Sequence, residues 1–258
     1  MQLRATLVGT ATMLLEVGDV TFLTDPVFDP PGKTVGFGFG TRSRRLTGSA
    51  LAADQLPRVD VALLSHDQHD DNLDDAGRGL LERAGVVVTT RAASRRLGFD
   101  AIGLRPFESH VVEKNGLKVH ITAMPARHGP PLSLPLVGSV IGFLLEWEGQ
   151  RDGAVYISGD TTCFGGMRAI ARRARIGTAF LHMGGASFWT RALRFTMNAS
   201  DAVRATRMLD PRRVVPIHIE GWTHFRDPVE GIAPAFQRAG FSNRLHMLRP
   251  GETEEWAA

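Results

Sequence analysis

The run Ser65-His66-Asp67-Gln68-His69-Asp70-Asp71-Asn72-Leu73-Asp74 crowds two imidazoles and several carboxylates into one turn. Such crowding is costly unless a cation or solvent compensates, and zinc, manganese and iron all accept imidazole together with carboxylate. A solvated, acidic helix start is the plain alternative, but His66 and His69 directly follow the apolar run Val59–Ser65. Further histidines and aspartates fall at similar places: Asp25 after Val20–Thr24, His128 a few residues past Lys118–Ala123, Asp160 after Ala154–Ser158, and His218 at the close of Val214–His218. A metal held by neutral imidazoles and carboxylates lowers the pKa of bound water toward neutrality. The resulting hydroxide can attack a carbonyl carbon or a phosphorus atom, while the metal offsets the charge on the oxyanion.

These side chains converge only if the elements carrying them end on one side of the molecule. Leu3–Gly9, Thr12–Val17 and Val20–Thr24 read as consecutive strands, and Val59–Ser65 as a short buried strand that delivers a polar loop. Ala76–Ala84 reads as a helix followed by the strand Val86–Thr89; Lys118–Ala123, Val140–Trp147 and Ala154–Ser158 are further strands. In the second half, helices over Gly166–Ala174, Ala199–Leu209 and Pro228–Ala239 alternate with strands over Thr178–Met183 and Val214–His218, and Asn198 or Ser200 caps the second helix. The alternation predicts a layered α/β domain with helices outside central sheets, and residues 1–258 are read as that one domain.

The pattern resembles the metallo-β-lactamase superfamily, whose members carry a His-x-His-x-Asp-His loop after a buried strand, then a His, an Asp and a His at later strand ends. Here the 66–72 loop, His128, Asp160 and His218 follow that order over nearly the whole chain, most like the branch of ascorbate-6-phosphate lactonase and the N-acyl-phosphatidylethanolamine-hydrolysing phospholipase D. The resemblance implies an αββα four-layer sandwich of two mixed sheets flanked by helices. It implies one or two divalent ions, Zn2+ first and Mn2+ or Fe2+ as alternatives. His66, His69 and His128 would hold the first, Asp71 and His218 the second with help from Asn72, and Asp160 would bridge. Asp71 would also orient the water or accept its proton, and Asp25 would orient an imidazole from behind.

The loop departs from the family spacing, because two residues separate His66 from His69. Either Gln68 replaces the second His, with Asp70 and Asp71 in the Asp-His places, or Gln68 is an insertion and His69, Asp71 and Asn72 align. The second register keeps two imidazoles and the Leu73-Asp74 that follows, and is preferred. Gly9-Thr10-Ala11-Thr12 also lacks the Gly-His pair of many relatives in that branch. His182 and His224 are candidates for metal or substrate contact, whereas His110, His120 and His246 read as surface or packing residues. The proline-rich stretch 129–137, with Phe188, Trp189 and Phe195, reads either as an apolar rim over the pocket or as packed surface.

The 258 residues are 43% hydrophobic and 22% charged, which excludes a disordered chain. The net charge is +3 while the pI is about 9.6, because most basic residues are arginines. Their runs, Arg42–Arg45 and Arg168–Arg175, are short and interrupted, so nucleic acid is disfavoured as a partner. The apolar run Ala5–Leu15 flows into Gly18-Asp19, a turn between strands rather than a cleaved leader, and no stretch approaches the roughly 20 apolar residues of a membrane helix. A lone Cys163 permits no internal disulfide, fits a cytoplasmic setting and reads as a buried filler. The leading expectation is a hydrolase acting on an ester, lactone or phosphodiester of a small or lipid-like substrate; a homo-oligomer is allowed. The alternatives are a degenerate member that binds metal or metabolite without turnover, and a nuclease.

Overall fold

A computed structural model describes residues 1–257, apart from the side chain of Leu136. In chain order the first half runs β1 (Gln2–Gly9), β2 (Thr12–Val17), β3 (Val20–Thr24), a small hairpin of β4 (Thr34–Gly36) and β5 (Arg42–Arg44), then β6 (Val61–Leu63), α1 (Asp75–Leu81), β7 (Val86–Thr90), α2 (Arg91–Arg96) and β8 (Ile102–Leu104). The second half runs β9 (Ser109–Lys114), β10 (Leu117–Pro125), α3 (Leu134–Val137), β11 (Ile141–Trp147), β12 (Ala154–Ile157), α4 (Met167–Arg173), β13 (Ile176–His182), α5 (Ala199–Leu209), β14 (Arg213–Ile217), α6 (Ile232–Arg238) and β15 (Thr253–Ala257).

Two mixed sheets face each other. One has the order β15-β1-β2-β3-β6-β7-β8, antiparallel from β15 to β3 and parallel from β3 to β8. The other has the order β14-β13-β12-β11-β10-β9, parallel from β14 to β12 and antiparallel beyond. Strand side chains alternate between faces, so Leu15, Phe22, Val61 and Leu63 meet Ile121, Phe143, Val155, Phe180 and Val215 in the core between the sheets. The opposite faces bury Leu64, Leu73, Leu81 and Val87 on the α1 side. Beneath the second sheet, Leu144, Tyr156 and Leu181 pack against Ile170, Ala205 and Phe236 from α4, α5 and α6. This is the four-layer αββα arrangement that the sequence implies.

Element ends follow local chemistry. Asp74 caps α1 through Gly77 N–H, Thr90 caps α2 through Ala93 N–H and Asn198 caps α5 through Asp201 N–H. The helix expected over Pro228–Ala239 is instead a 3-10 turn over Val229–Gly231 followed by α6, since Pro228 holds an extended backbone. Strands β4, β5, β8, β9 and β15 and helix α2 carry no sequence expectation. Arg45, just past β5, is 2% exposed and donates to Asp74 Oδ2 at 2.8 Å, to the carbonyl of Val27 at 3.2 Å and to that of Thr47 at 3.0 Å. That buried pair ties the hairpin to the cap of α1. Among the described residues no helix is long and apolar enough to cross a membrane.

Candidate metal centre

The carboxyl ends of β3, β6, β10, β12, β13 and β14 lie together, which brings Asp25, the 66–72 loop, His128, Asp160, His182 and His218 into one region. Two of the turns need unusual backbone. Gly159 has φ 59°, and a Cβ there would sit 2.5 Å from the Ile141 carbonyl oxygen, so only glycine lets the chain turn Asp160 inward. His218 takes φ 56°, rare for a bulky residue, and its N–H donates to the Thr10 carbonyl at 2.6 Å. Thr10 stands in the segment where many relatives of the resembled branch have a Gly-His pair; here the carbonyl of that segment holds the backbone of His218.

Two groups of donors result. In the first, one ring nitrogen each of His66, His69 and His128 lie within 4.8 Å of one another. His66 Nε2 is 2.9 Å from His69 Nδ1, and His128 Nε2 is 3.2 Å from the same atom. His128 donates its Nδ1 proton to the Phe195 carbonyl at 2.9 Å, which leaves Nε2 a bare lone pair. Two nitrogens on one tetrahedral zinc stand about 3.3 Å apart, so this spacing is one that a shared ion could take up. Burial pushes His66 well below the ordinary histidine range and His128 down to about 3, with the neighbouring rings adding to both.

The second group comprises Asp71, Asp160 and His218, all buried and again within 4.8 Å of one another. His218 Nε2 is 3.2 Å from Asp71 Oδ2, and its Nδ1 is 3.7 Å from Asp160 Oδ1. Burial lowers His218 to about 4, against the pull of the Asp71 carboxylate. Burial also opposes charge on Asp71, but the His218 and His224 rings outweigh it and hold that carboxyl well below the usual range. Asp160 is driven well above that range by burial and by the carboxylates of Asp71 and Asp25. Asp71 Oδ1, Asp160 Oδ1, His218 Nδ1 and the amide oxygen of Asn72 are buried without a hydrogen bond. Buried polar atoms are seldom left so; a divalent cation would satisfy them and the two crowded carboxylates together, so the donor set fits the implied metal.

Gln68 is exposed, while His69 turns inward beside His66 and His128, the placement of the preferred register. Arg96 clamps this loop from outside, with Nε and a terminal nitrogen 2.9 and 2.5 Å from the two oxygens of Asp67. His224 lies at the centre as well: Nε2 is 3.0 Å from Asp71 Oδ2, Nδ1 is 2.6 Å from Ser43 Oγ, and the ring stacks on Phe188 at 5.0 Å. His182 does not reach the cavity. It is fully buried between Ser158 Oγ (3.1 Å) and Asp25 Oδ2 (3.4 Å), a core histidine rather than a metal or substrate contact. Asp25 therefore faces the ring of His182, not that of a donor-group histidine, and its other oxygen accepts the Ser65 N–H at 2.7 Å. His110 and His120 sit on β9 and β10, and His246 pairs with Glu254 at 3.2 Å, all away from the centre.

A narrow cavity opens onto His69, Asp71, His128, Asp160 and His224; its other walls are Phe37, Phe39, Thr41, Val137, Ala186, Phe188, Trp189 and Phe195. Val137 alone of the 129–137 stretch reaches it; the side chain of Leu136 lies outside the described residues, and Leu132 is 94% exposed. Phe37, Thr41 and Ser43 come from the β4–β5 hairpin, which gave no signal in the sequence: its strands are three residues long and rich in glycine and arginine.

The Beta-lactamase superfamily domain model matches residues 21–219. A UPF0173 metal-dependent hydrolase of Pelotomaculum thermopropionicum is 30% identical over 226 residues, 81% of this chain and 89% of its own. One from Desulforamulus reducens is 27% identical over 97% of this chain and 98% of its own. Among solved structures, the isothiocyanate hydrolase from Delia radicum gut bacteria superposes with a TM-score of 0.83 at 20% identity, covering 100% of both chains. A metallo hydrolase from Ignicoccus hospitalis gives 0.75 at 22% identity, over 99% of both.

Proposed function

We propose, from the premise that this chain belongs to the β-lactamase superfamily and is one of its metal-dependent hydrolases, that it cleaves a neutral ester or lactone of a small, largely apolar substrate. The observation that carries this reading is the lining of the cavity: aromatic and aliphatic side chains surround the donor groups, and no lysine or arginine is among the lining residues. A phosphate-bearing or polynucleotide substrate calls for cationic contacts, so the phosphodiester and nuclease alternatives lose ground, and a phosphorylated lactone loses ground with them. Against a catalytically inert, degenerate member stands the likeness to relatives named metal-dependent hydrolases over most of the chain.

His66, His69 and His128 would hold one ion and Asp71, Asp160 and His218 the other, with Asp160 between the groups; His128 Nε2 is 4.0 Å from Asp160 Oδ2. Zn2+ suits the nitrogen-rich first group, and Mn2+ or Fe2+ suits the carboxylate-rich second at least as well. Bound there, the ions supply activation of water and neutralisation of developing negative charge. Asp71, whose Oδ1 is buried without a hydrogen-bond partner, orients the attacking water and takes its proton. Phe37, Phe188 and Phe195 pack the acyl portion and exclude bulk water, which strengthens each charge interaction within. A second electrophile fits the same walls: a structural neighbour is named an isothiocyanate hydrolase, and a small apolar isothiocyanate is likewise neutral.

The test is a substrate panel on untagged protein reconstituted separately with Zn2+, Mn2+ and Fe2+. Turnover of an aryl ester or an acyl lactone should exceed that of bis(p-nitrophenyl) phosphate by at least about 100-fold in kcat/KM, roughly 2.7 kcal/mol in transition-state stabilisation. Faster phosphodiester cleavage would sink the ester and lactone reading; hydrolysis of benzyl isothiocyanate alone would move the substrate class to isothiocyanates.

A further inference from the structure

The second donor group offers three side chains, two of them carboxylates, and an ion there has at least one position left for water or a further side chain. Asn72 is the nearest neutral candidate by sequence, yet its amide oxygen is a poor donor beside imidazole. His224 offers more. It is 2% exposed and lines the same cavity face as Asp71 and Asp160, and its Nε2 stands 3.0 Å from Asp71 Oδ2.

We propose that His224 is a further protein ligand of the ion held by Asp71, Asp160 and His218, bound through Nε2, with Ser43 Oγ accepting its Nδ1 proton. The inference rests on the ligand set proposed above. Ligating histidines almost always donate their other ring N–H, which fixes the tautomer and raises the basicity of the bound nitrogen. Ser43, 2% exposed and 2.6 Å from Nδ1, is placed to accept that proton. The Ser43 hydroxyl can in turn donate to Thr223 Oγ1 at 3.2 Å, so its lone pair stays directed at the ring. With Nδ1 protonated, Nε2 is bare, and a bare nitrogen 3.0 Å from a buried carboxylate oxygen is repelled unless a cation lies between them. Stacking on Phe188 with ring planes 8° apart, and an edge contact with Phe225 at 4.6 Å, fix the plane in which Nε2 points. The ligand thus comes from the turn after β14, aimed by a hairpin 181 residues earlier in the chain.

The experiment titrates chelator-treated, untagged, full-length protein with Co2+ alone, reading the visible ligand-field bands and the cobalt retained after desalting. Wild type should take up two ions. His224→Gln should retain one, losing the bands of the second step, and His224→Gln with Asn72→His should regain the second ion. Ser43→Ala, which keeps the ring and its packing, should weaken the second step by about 10- to 100-fold and leave the first unchanged. Asn72→Ala should still hold two. If His224→Gln misfolds, as judged by circular dichroism, the Ser43→Ala titration decides, and an unchanged second step there overturns the proposal. Two ions with unchanged bands in His224→Gln overturn it as well, and make that ring only a hydrogen-bond donor to Asp71. One ion in wild type, unaltered by His224→Gln, overturns it too. Wild type that binds no cobalt at all refutes the ligand set itself.

Discussion

The two donor groups begin on the same loop yet follow opposite electrostatic plans. His66, His69 and His128 form a site of neutral rings, kept neutral chiefly by burial and further by one another. Asp71, Asp160 and His218 pack two carboxylates against one ring, and the strain appears as a carboxyl group pushed far up in Asp160 and far down in Asp71. An empty first site would cost only the crowding of lone pairs, whereas an empty second site would cost repulsion between charges in a medium of low dielectric. The first group is therefore the preformed one, and the second gains more from each ion it binds.

The largest test of this contrast lies in the first group. His66→Ala and His69→Ala should each abolish tight binding of one ion and lower kcat/KM by at least about 1000-fold, while Gln68→Ala changes neither by more than about threefold. The reverse ranking of His69 and Gln68 in metal analysis would restore the other register of the loop.

The intermediate test is acid. His128 and His218 have folded pKa values of about 3 and about 4, below the unfolded value of 6.5. The unfolded chain thus binds protons first as pH falls, so these rings destabilise the folded metal-free protein progressively from about pH 6.5 down to about pH 4 for His218 and about pH 3 for His128; above that window they contribute no slope. Asp160, raised in the folded state, works in the other direction and offsets part of the loss. Chemical denaturation of metal-free protein at pH 7.5 and pH 5 should show lower stability at pH 5. Equal or higher stability there would mean that Asp160 outweighs the rings.

The smallest test concerns Arg96. Its pairing with Asp67 braces the loop from outside, but the arginine side chain is 46% exposed, so its removal matters little to stability. Arg96→Ala should loosen the first ion by no more than about tenfold and leave the second unmoved. An equal effect on both would mean that the loop moves as one body.

The strand ends and their donors were legible in the sequence because short apolar runs stop abruptly at histidine or aspartate, as at Val59–His66 and Ala154–Asp160. Their pairing into two opposed sheets followed the resemblance. The ring that Asp25 faces was not legible: it belongs to His182, which is remote in sequence and looks like any other histidine at a strand end. The hairpin was not legible at all. Its strands have an exposed-buried-exposed pattern three residues long, too short for periodicity to register. No local signal joins Ser43 to His224, since that contact exists only once β14 has been placed.

One consequence of the Arg45–Asp74 pair concerns how the cavity admits its guest. With both side chains 2% exposed, separating them strands two charges in the interior, a cost of about 3–5 kcal/mol. The hairpin wall bearing Phe37 is thereby an anvil. Accommodation falls to the jaw of Phe188, Trp189 and Phe195, where Trp189 is 56% exposed. Guests of different girth would be sorted by how far that jaw yields, and the ions' surroundings would stay as they are.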